Sequence, residues 1–391
     1  MRKATMAVGI VILAVLVARE ILSPTSVLAV EFTIVGPRAV GMGGAGVAVT
    51  TDALAIYWNP AGLAMSQTVD IRAQASGQIV DRLGVADTIN DINNFDRSDV
   101  SAANRARLQS LLDRINRPGA TVSAMGAAGL YLKGYWGDHA FGFTLSDVAT
   151  GGQFTPTPLT ATCTDGGACG PGSSVAVNGQ MVVRGLEARQ AGFSYAFSFL
   201  NRSVAIGATA KIIQGAAYSN QVAVFGSKGD AGFTGDFGKP KLSTAFGIDV
   251  GALYRPFSWL RFGVVAKDIN QPTFDAPGGG EFKLTPQVRG GVAVNPYSSL
   301  TLTFDGDINS NHALIPGIKS RVLSLGAEQT ILSQFISLRV GALKNVADTN
   351  SAVTPTAGFG IRLFALRVDV GGGYDFHERG ALASGSVSLT F

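Results

Sequence analysis

The chain has 391 residues, of which 46% are hydrophobic, 15% are charged and 50 are glycine. Its mean hydropathy of +0.26 is high for a soluble protein, yet beyond the first thirty residues no run of about 18 or more apolar residues predicts a membrane-spanning helix. The formal net charge of +4 comes without a basic cluster, so the sequence gives no indication of a nucleic-acid partner.

Residues 1–29 have the composition of a secretory signal peptide. Arg2 and Lys3 precede an uncharged apolar run over residues 4–18, and residues 27–29 offer small side chains at the −3 and −1 positions of a cleavage site. We therefore expect cleavage at this point and export of the mature chain. An uncleaved N-terminal anchor is the alternative, but the apolar run is short for a bilayer span.

Residues 30–66 contain Gly41, Gly43 and Gly46 at the G-x-G-x-x-G spacing of a dinucleotide-binding loop. Such a site needs a buried strand before the glycines and a helix after them. Pro37 interrupts the preceding stretch, and the following VAVTT is rich in β-branched residues, which are weak helix formers. The sequence therefore does not predict a nucleotide, and we assign no cofactor.

The same segment is too short for a domain and too rich in glycine for a regular helix, so it must pack against another part of the chain. A short helix is expected over DALAIYW, residues 52–58, with Asn59 and Pro60 ending it. Because a wide membrane barrel leaks unless its lumen is filled, we expect residues 30–66 to form a plug inside such a barrel.

Residues 67–391 show the period-two alternation of amphipathic strands. In LRVDVGG, for example, Leu366, Val368 and Val370 share one face, opposite Arg367. Short links alternate with long ones, which is typical of an all-β membrane β-barrel of about 14 antiparallel strands in the bacterial outer membrane, with its short turns in the periplasm. An exported β-sandwich is the alternative, but its strands are about five or six residues long, and these reach about ten or more.

The first barrel strand is expected near residues 68–78, and a long helical insertion follows it at residues 81–120. Ser98 or Ser101 supplies the helix cap. By strand parity this loop lies outside the cell, where the helix either forms a lid that collects apolar ligands or packs across the barrel mouth. Four apolar residues recur at the spacing of one helical face: Leu108, Leu111, Leu112 and Ile115.

Cys163 and Cys169 flank five residues rich in glycine, within the long link at residues 151–180. In an oxidising compartment they are expected to form a disulfide, and free or metal-bound thiols are the alternatives. The three histidines are scattered and none has a recognised ligand spacing, so we predict no metal site. No nucleophile and base are placed together, so we expect no enzyme activity.

Aromatic residues cluster beside the predicted short turns, as in the interfacial girdle of a barrel embedded in outer-membrane lipid. The final strand, SGSVSLTF, is amphipathic and ends on Phe391. This ending resembles the C-terminal signal by which outer-membrane proteins are recognised by the barrel-assembly machinery.

Residues 36–64, GPRAVGMGGAGVAVTTDALAIYWNPAGLA, resemble the N-terminal plug of the FadL-type outer-membrane transporters. They are still more similar to the relatives of these transporters, the PorV-type proteins and chains described as TraF-like conjugal-transfer proteins. The resemblance implies a plugged fourteen-stranded barrel from which the ligand leaves sideways through a gap in the wall. The plug or gate residues that it indicates are Gly41, Gly43, Gly44, Gly46, Asp52, Trp58, Asn59 and Pro60.

The resulting hypothesis is plug-gated, passive uptake of a small hydrophobic molecule of the long-chain fatty acid or hydrocarbon type. Cations on the inward strand faces either meet the carboxylate of such a ligand or pair with acidic residues and the plug. The candidate ligand contacts are Arg72, Arg261, Arg289, Arg339, Arg362 and Arg367. The PorV resemblance implies the alternative, an outer-membrane component of a secretion or conjugal-transfer system that binds exported protein cargo or partner subunits.

Overall fold

A computed structural model describes residues 32–225, 237–349 and 351–391, so the predicted signal peptide lies outside the described residues. Fourteen of the described strands close into one antiparallel barrel, in which the first strand pairs with the last. The fold class predicted from strand alternation is therefore confirmed. In chain order the barrel strands are β1 (Asp70–Arg82), β2 (Thr121–Trp136), β3 (His139–Phe154), β6 (Gln180–Phe199), β7 (Val204–Ala223), β8 (Lys241–Phe257), β9 (Leu260–Lys267), β12 (Gln287–Tyr297), β13 (Leu300–Asp307), β16 (Val322–Ile331), β17 (Ile336–Asn345), β18 (Thr354–Leu363), β19 (Leu366–Asp375) and β20 (Gly380–Thr390).

Alternation places polar side chains inside the barrel and apolar side chains outside it. In β16, Leu323 and Leu325 are exposed on the outer face, whereas Ser324 and Glu328 are buried on the inner face. An outer surface of this kind faces lipid in membrane barrels. No helix among the described residues is long and apolar enough to cross a membrane.

The barrel wall is taller on one side than on the other, because β6 and β7 have 20 residues each and β9 and β13 have 8. One end carries short turns, such as residues 137–138 and 364–365, and is called the short-turn end; the other is the long-loop end. The first strand extends beyond the predicted residues 68–78, since its pairing with β2 continues to Arg82 opposite Thr121. The long link therefore begins two residues later than predicted.

The plug, described here from residue 32 to residue 66, lies inside the barrel and is almost fully buried. It begins with an extended arm of residues 32–35. The helix predicted over residues 52–58 is shorter, because the Asp52 side chain accepts a hydrogen bond from the Leu54 N–H and forms a turn before the helix begins. Three short helices follow the arm: α1 (Pro37–Gly41), α2 (Ala55–Trp58) and a 3₁₀ helix (Pro60–Met65).

The link between β1 and β2 forms a helical cap at the long-loop end. It contains α3 (Val85–Asn93) and α4 (Ala102–Ile115), which lies where the apolar spacing predicts a helix and has Ser101 as its N-cap. The apolar face of α4 is buried against α3 and the hairpin of β4 (Thr160–Cys163) and β5 (Val175–Asn178). This face is therefore covered by the cap itself and is not an exposed surface that collects ligands.

Two further hairpins in the long links do not follow from the sequence. Their strands have two or three residues, which is too short for alternation to show. Phe274 of the first hairpin packs against Gly215 on the inner wall, so the hairpin narrows the long-loop end. The strands are β10 (Thr273–Asp275) with β11 (Glu281–Lys283), and β14 (Asn311–His312) with β15 (Lys319–Ser320).

Candidate functional site

The inner wall meets the plug through pairs of glycines that face each other on neighbouring strands. An alanine Cβ at Gly207 would lie 2.5 Å from the Pro60 carbonyl carbon, and one at Gly371 would lie 2.6 Å from the Pro37 carbonyl oxygen. These distances are well inside van der Waals contact, so the plug backbone touches the wall directly. The four register-matched pairs, called the glycine ladder, are Gly207 with Gly251, Gly263 with Gly291, Gly326 with Gly341, and Gly358 with Gly371.

The plug glycines indicated by the sequence lie at this contact. Gly43 has a φ of +67°, which favours glycine, and it packs on the backbone of β17. A side chain on Gly46 would meet the ring of Trp58, so the plug is also packed against itself. Gly41 approaches the backbone of β18 in the same way, whereas Gly44 packs against the Ile34 side chain of the plug and the Ser324 side chain of β16. The short side chains of this segment therefore serve close backbone packing.

Polar side chains bind the plug backbone at the centre of the lumen. Asp305 accepts hydrogen bonds from the backbone N–H groups of Gly46 and Val47, at 2.7 and 2.8 Å. Asn59 donates from its side chain to the carbonyl oxygens of Val47 and Ala252, so it ties the plug both to itself and to β8. These contacts anchor the plug in the conformation that the structure describes.

Ion pairs join the plug to strands near the short-turn end. Arg38 binds both oxygens of Glu328, with a shortest distance of 2.7 Å, and Arg72 lies 3.0 Å from Asp52. Burial alone would raise the pKa of Asp52, but the charges of Arg72 and Arg38 hold that pKa below its usual value. Burial opposes the charge of Arg38, yet Glu328 raises its pKa above the usual range. The plug side chains of both pairs are therefore charged at neutral pH.

The structure pairs most of the six arginines proposed as ligand contacts. Two of the six, Arg261 and Arg362, donate hydrogen bonds to the Asn295 side chain and to the Phe364 carbonyl, respectively, near the short-turn end. Pairing within the protein therefore accounts for most of these charges. The arginines that contact carboxylates are Arg72, Arg289, Arg339 and Arg367.

A cavity of about 100 Å³, called the lumen cavity, lies between the plug and the long-loop end. The plug arm contributes Phe32 and Ile34 to its surface. The link after β13 contributes Leu314, Ile315 and Ile318 on the other side. Polar side chains of the surrounding strands complete the lining, so the cavity suits a small and mainly apolar molecule.

A second cavity of about 40 Å³ lies beside the plug arm and contains Lys267. The Lys267 ammonium lies 3.2 Å from the centre of the Tyr57 ring, which stabilises its charge. Among the described residues, no carboxylate lies within ion-pair distance of it, because Asp249 and Asp268 both bind the neighbouring Lys211. Lys267 is therefore a buried lysine beside the lumen cavity that has no carboxylate partner among the described residues, whereas the cations that line the lumen cavity itself are Arg82 and Arg289.

The structure also locates the predicted disulfide and the C-terminal Phe391, which both lie outside the lumen. A disulfide joins Cys163 to Cys169 in the β4–β5 hairpin, as predicted, so their sulfur atoms are not available as thiolate ligands. Phe391 is exposed at the short-turn end, and its backbone N–H donates to the Val69 carbonyl beside the last strand. Its role as an assembly signal stays a prediction.

The glycine ladder and the position of Lys267 do not follow from the sequence patterns. Each ladder pair joins glycines from two strands, and the pairing depends on a register that local alternation does not give. One signal was present in the composition, because 50 glycines exceed what turns require and glycine within strands marks close approach of another backbone.

Solved structures share this architecture at low sequence identity. The Ralstonia pickettii toluene transporter TbuX aligns with a TM-score of 0.54 and 14% identity, over 91% of this chain and 97% of its own. A Pseudomonas aeruginosa FadL homologue aligns with a TM-score of 0.55 and 13% identity, over 94% of this chain and 99% of its own. The CymD monoaromatic hydrocarbon channel aligns with a TM-score of 0.54 and 14% identity, over 93% of this chain and 98% of its own. These similarities confirm the FadL-like fold.

The sequence comparison identifies the family. No curated protein sequence matches the chain. The family described as "F plasmid transfer operon, TraF, protein" matches residues 56–307, which run from the second plug helix to the end of β13 and make up well over half of the chain. This match agrees with the resemblance to TraF-like chains found in the plug. The chain therefore belongs to this TraF family.

Proposed function

We propose that the protein is an outer-membrane barrel for passive uptake of a small hydrophobic molecule, with the long-loop end facing outside. The observation that carries this proposal is the lumen cavity, which is largely apolar and lies between the plug and the long-loop end. A molecule in this cavity has passed the outer loops and has not yet passed the plug. The solved structures described as hydrocarbon channels support the proposal through their shared fold.

The size of the lumen cavity limits the ligand. An apolar cavity of about 150 Å³ in another protein holds benzene, so a cavity of about 100 Å³ accepts at most a small ring or a short chain without rearrangement. A long acyl chain requires the cavity to widen. If the ligand carries a carboxylate, we propose that Lys267 meets it from the second cavity, which shares Thr150 with the lumen cavity.

We propose that the gate is the plug arm rather than the whole plug. The rest of the plug is held by the glycine ladder and by Asp305, so its displacement would break many close contacts at once. The arm is extended and contributes Phe32 and Ile34 to the lumen cavity, so its movement would open a path past the plug. The sideways exit implied by the FadL resemblance requires a second change, because neighbouring strands are paired around the whole described wall.

Uptake of a labelled probe by intact cells tests the proposal. A strain that lacks the protein is compared with one that expresses it, using radiolabelled toluene and decanoate. Ile318→Trp fills the lumen cavity and is expected to lower uptake about tenfold, as loss of a matched binding space does. Ile308→Trp, which adds the same side chain at a half-exposed position after β13, is the matched control and is expected to leave uptake unchanged. Equal uptake with and without the protein would refute the proposal.

A second candidate function follows from the resemblance of the plug to PorV-type proteins, and it is a role as a docking component for exported protein. Under this hypothesis the helical cap and long links bind a partner, and the lumen stays closed. Photocrosslinking from exposed cap residues such as Arg107 and Arg114 tests it. Capture of one defined exported protein, together with normal probe uptake in the deletion strain, would favour this function over transport.

A further inference from the structure

Three cavities lie in series at the long-loop end. A cavity of about 180 Å³, called the rim cavity, shares Arg82, Ile318 and Glu378 with the lumen cavity. A third cavity of about 280 Å³, called the outer cavity, shares Leu83 and Glu378 with the rim cavity. The three cavities therefore trace a passage over the rim of the wall into the lumen, and Glu378 lines all of them.

Ion pairs cross this passage where the lumen cavity meets the rim cavity. The Arg82 guanidinium binds the Asp348 carboxylate, and its Nε lies 3.7 Å from Oε1 of Glu378. The three side chains come from separate segments, which are the end of β1, the link after β17 and the turn between β19 and β20. Each side chain is at most 13% exposed, so the ion pairs are screened less than surface pairs.

The turn that carries Glu378 is fixed by hydrogen bonds to the side chain of Asp375. Asp375 accepts hydrogen bonds from the backbone N–H groups of His377 and Glu378, at 2.8 and 2.9 Å. Burial raises the pKa of Glu378, Arg82 opposes this shift, and Asp375 adds to it. Other charged groups nearby are Asp348, Asp81 and Arg379, the last of which pairs with Asp87 on α3.

We propose that Arg82, Asp348 and Glu378 form an ion-pair latch that closes the passage between the outer cavity and the lumen cavity, and that a small uncharged solute passes when the latch opens. The proposal deepens the uptake function and rests on it for the identity of the solute. The geometry of the latch itself does not depend on transport. Because the three side chains belong to different segments, breaking their ion pairs frees the link after β17 from the rim of β1.

A buried reporter thiol tests the latch independently of transport. Ser320 lines the lumen cavity and is buried, so Ser320→Cys places a thiol beyond the latch, and the native cysteines are already joined in a disulfide. The rate of its modification by N-ethylmaleimide added to intact cells is measured with the latch intact and with Arg82→Gln or Glu378→Gln. Arg202→Gln, which breaks the Arg202–Asp138 pair at the short-turn end, is the control.

Arg82→Gln is expected to raise the modification rate about tenfold, because it removes both ion pairs of the latch, and Glu378→Gln is expected to raise it less. Equal rates for the latch variants and the control, with heat-modifiable migration in gels unchanged, would overturn the latch. A faster modification rate in the latch variants, without any toluene uptake by the wild type, would instead support the latch and refute the transport proposal.

Discussion

The substitution Gly207→Ala tests whether the glycine ladder holds the plug. The new Cβ would lie 2.5 to 2.7 Å from three backbone atoms of Pro60 and Ala61, where ordinary contacts begin near 3.4 Å. The plug backbone must therefore shift by about 1 Å, since these atoms do not belong to a flexible side chain. Overpacking of this kind costs about 1–3 kcal/mol, which outweighs the gain of about 0.5–1 kcal/mol that alanine brings to a strand.

Two measurements report the effect. Thermal unfolding of the purified barrel is expected to show the loss of stability, and conductance in planar bilayers is expected to rise because the displaced plug admits ions. The matched control is Gly385→Ala in β20, where an added Cβ meets no atom within 4 Å. The control should keep wild-type conductance and equal or higher stability.

The reasoning fails if Gly207→Ala matches the control in both measurements. That result would mean that the contact between the plug and the wall can accommodate an added methyl group without loss of stability. It would also remove the argument that only the plug arm moves, because the rest of the plug would then be free to shift as well.

Three further predictions follow from other contacts. Arg339→Met removes one of the two arginines that bind each of Glu328 and Asp369, which keep Arg38 and Arg367, so unfolding experiments should show a loss smaller than the ~3–5 kcal/mol of a fully unpaired buried charge. The pKa of Asp52 is lowered in the folded protein, so its stabilising effect is complete above the usual aspartate pKa and is lost as the pH falls through the lower, folded value. Conductance measured during acid titration should therefore stay low at pH values below the usual aspartate pKa and rise only at still lower pH. Asp52→Asn should abolish this pH dependence. Cys169→Ser opens the hairpin of the cap at a cost of about 2 kcal/mol, which hydrogen exchange of β4 and β5 should detect without a change in the barrel strands.

Local patterns were enough to predict the barrel. The alternation in the strand from Leu366 to Asp375 needs only a few neighbouring residues to recognise, and it recurs along the chain. The α4 helix followed from spacing in the same way, whereas the disulfide was predicted from the oxidising compartment. The two-residue strands β14 and β15 could not be predicted, because they are too short for a periodic pattern.

Long-range pairing set the limits of prediction. Arg38 and Glu328 are 290 residues apart, so their ion pair depends on the register of the whole barrel. Sequence reasoning could state that lumen cations either bind ligand or pair internally, but it could not decide between these for Arg289, whose partner Asp307 lies on the next strand. The close approach of Gly207 to Pro60 depends in the same way on where the plug sits.

The complementarity of the plug and the glycine ladder constrains the order in which the protein assembles. A rigid segment that touches wall backbone on β7, β8, β9, β12, β16, β17, β18 and β19 has little clearance to slide into a finished cylinder. The seam between β1 and β20 joins the two ends of the barrel sequence, so its closure has the highest loop-closure cost of any strand pair. We therefore expect the open sheet to wrap around the plug before the seam closes, with the N-terminal segment as an internal template for the cylinder.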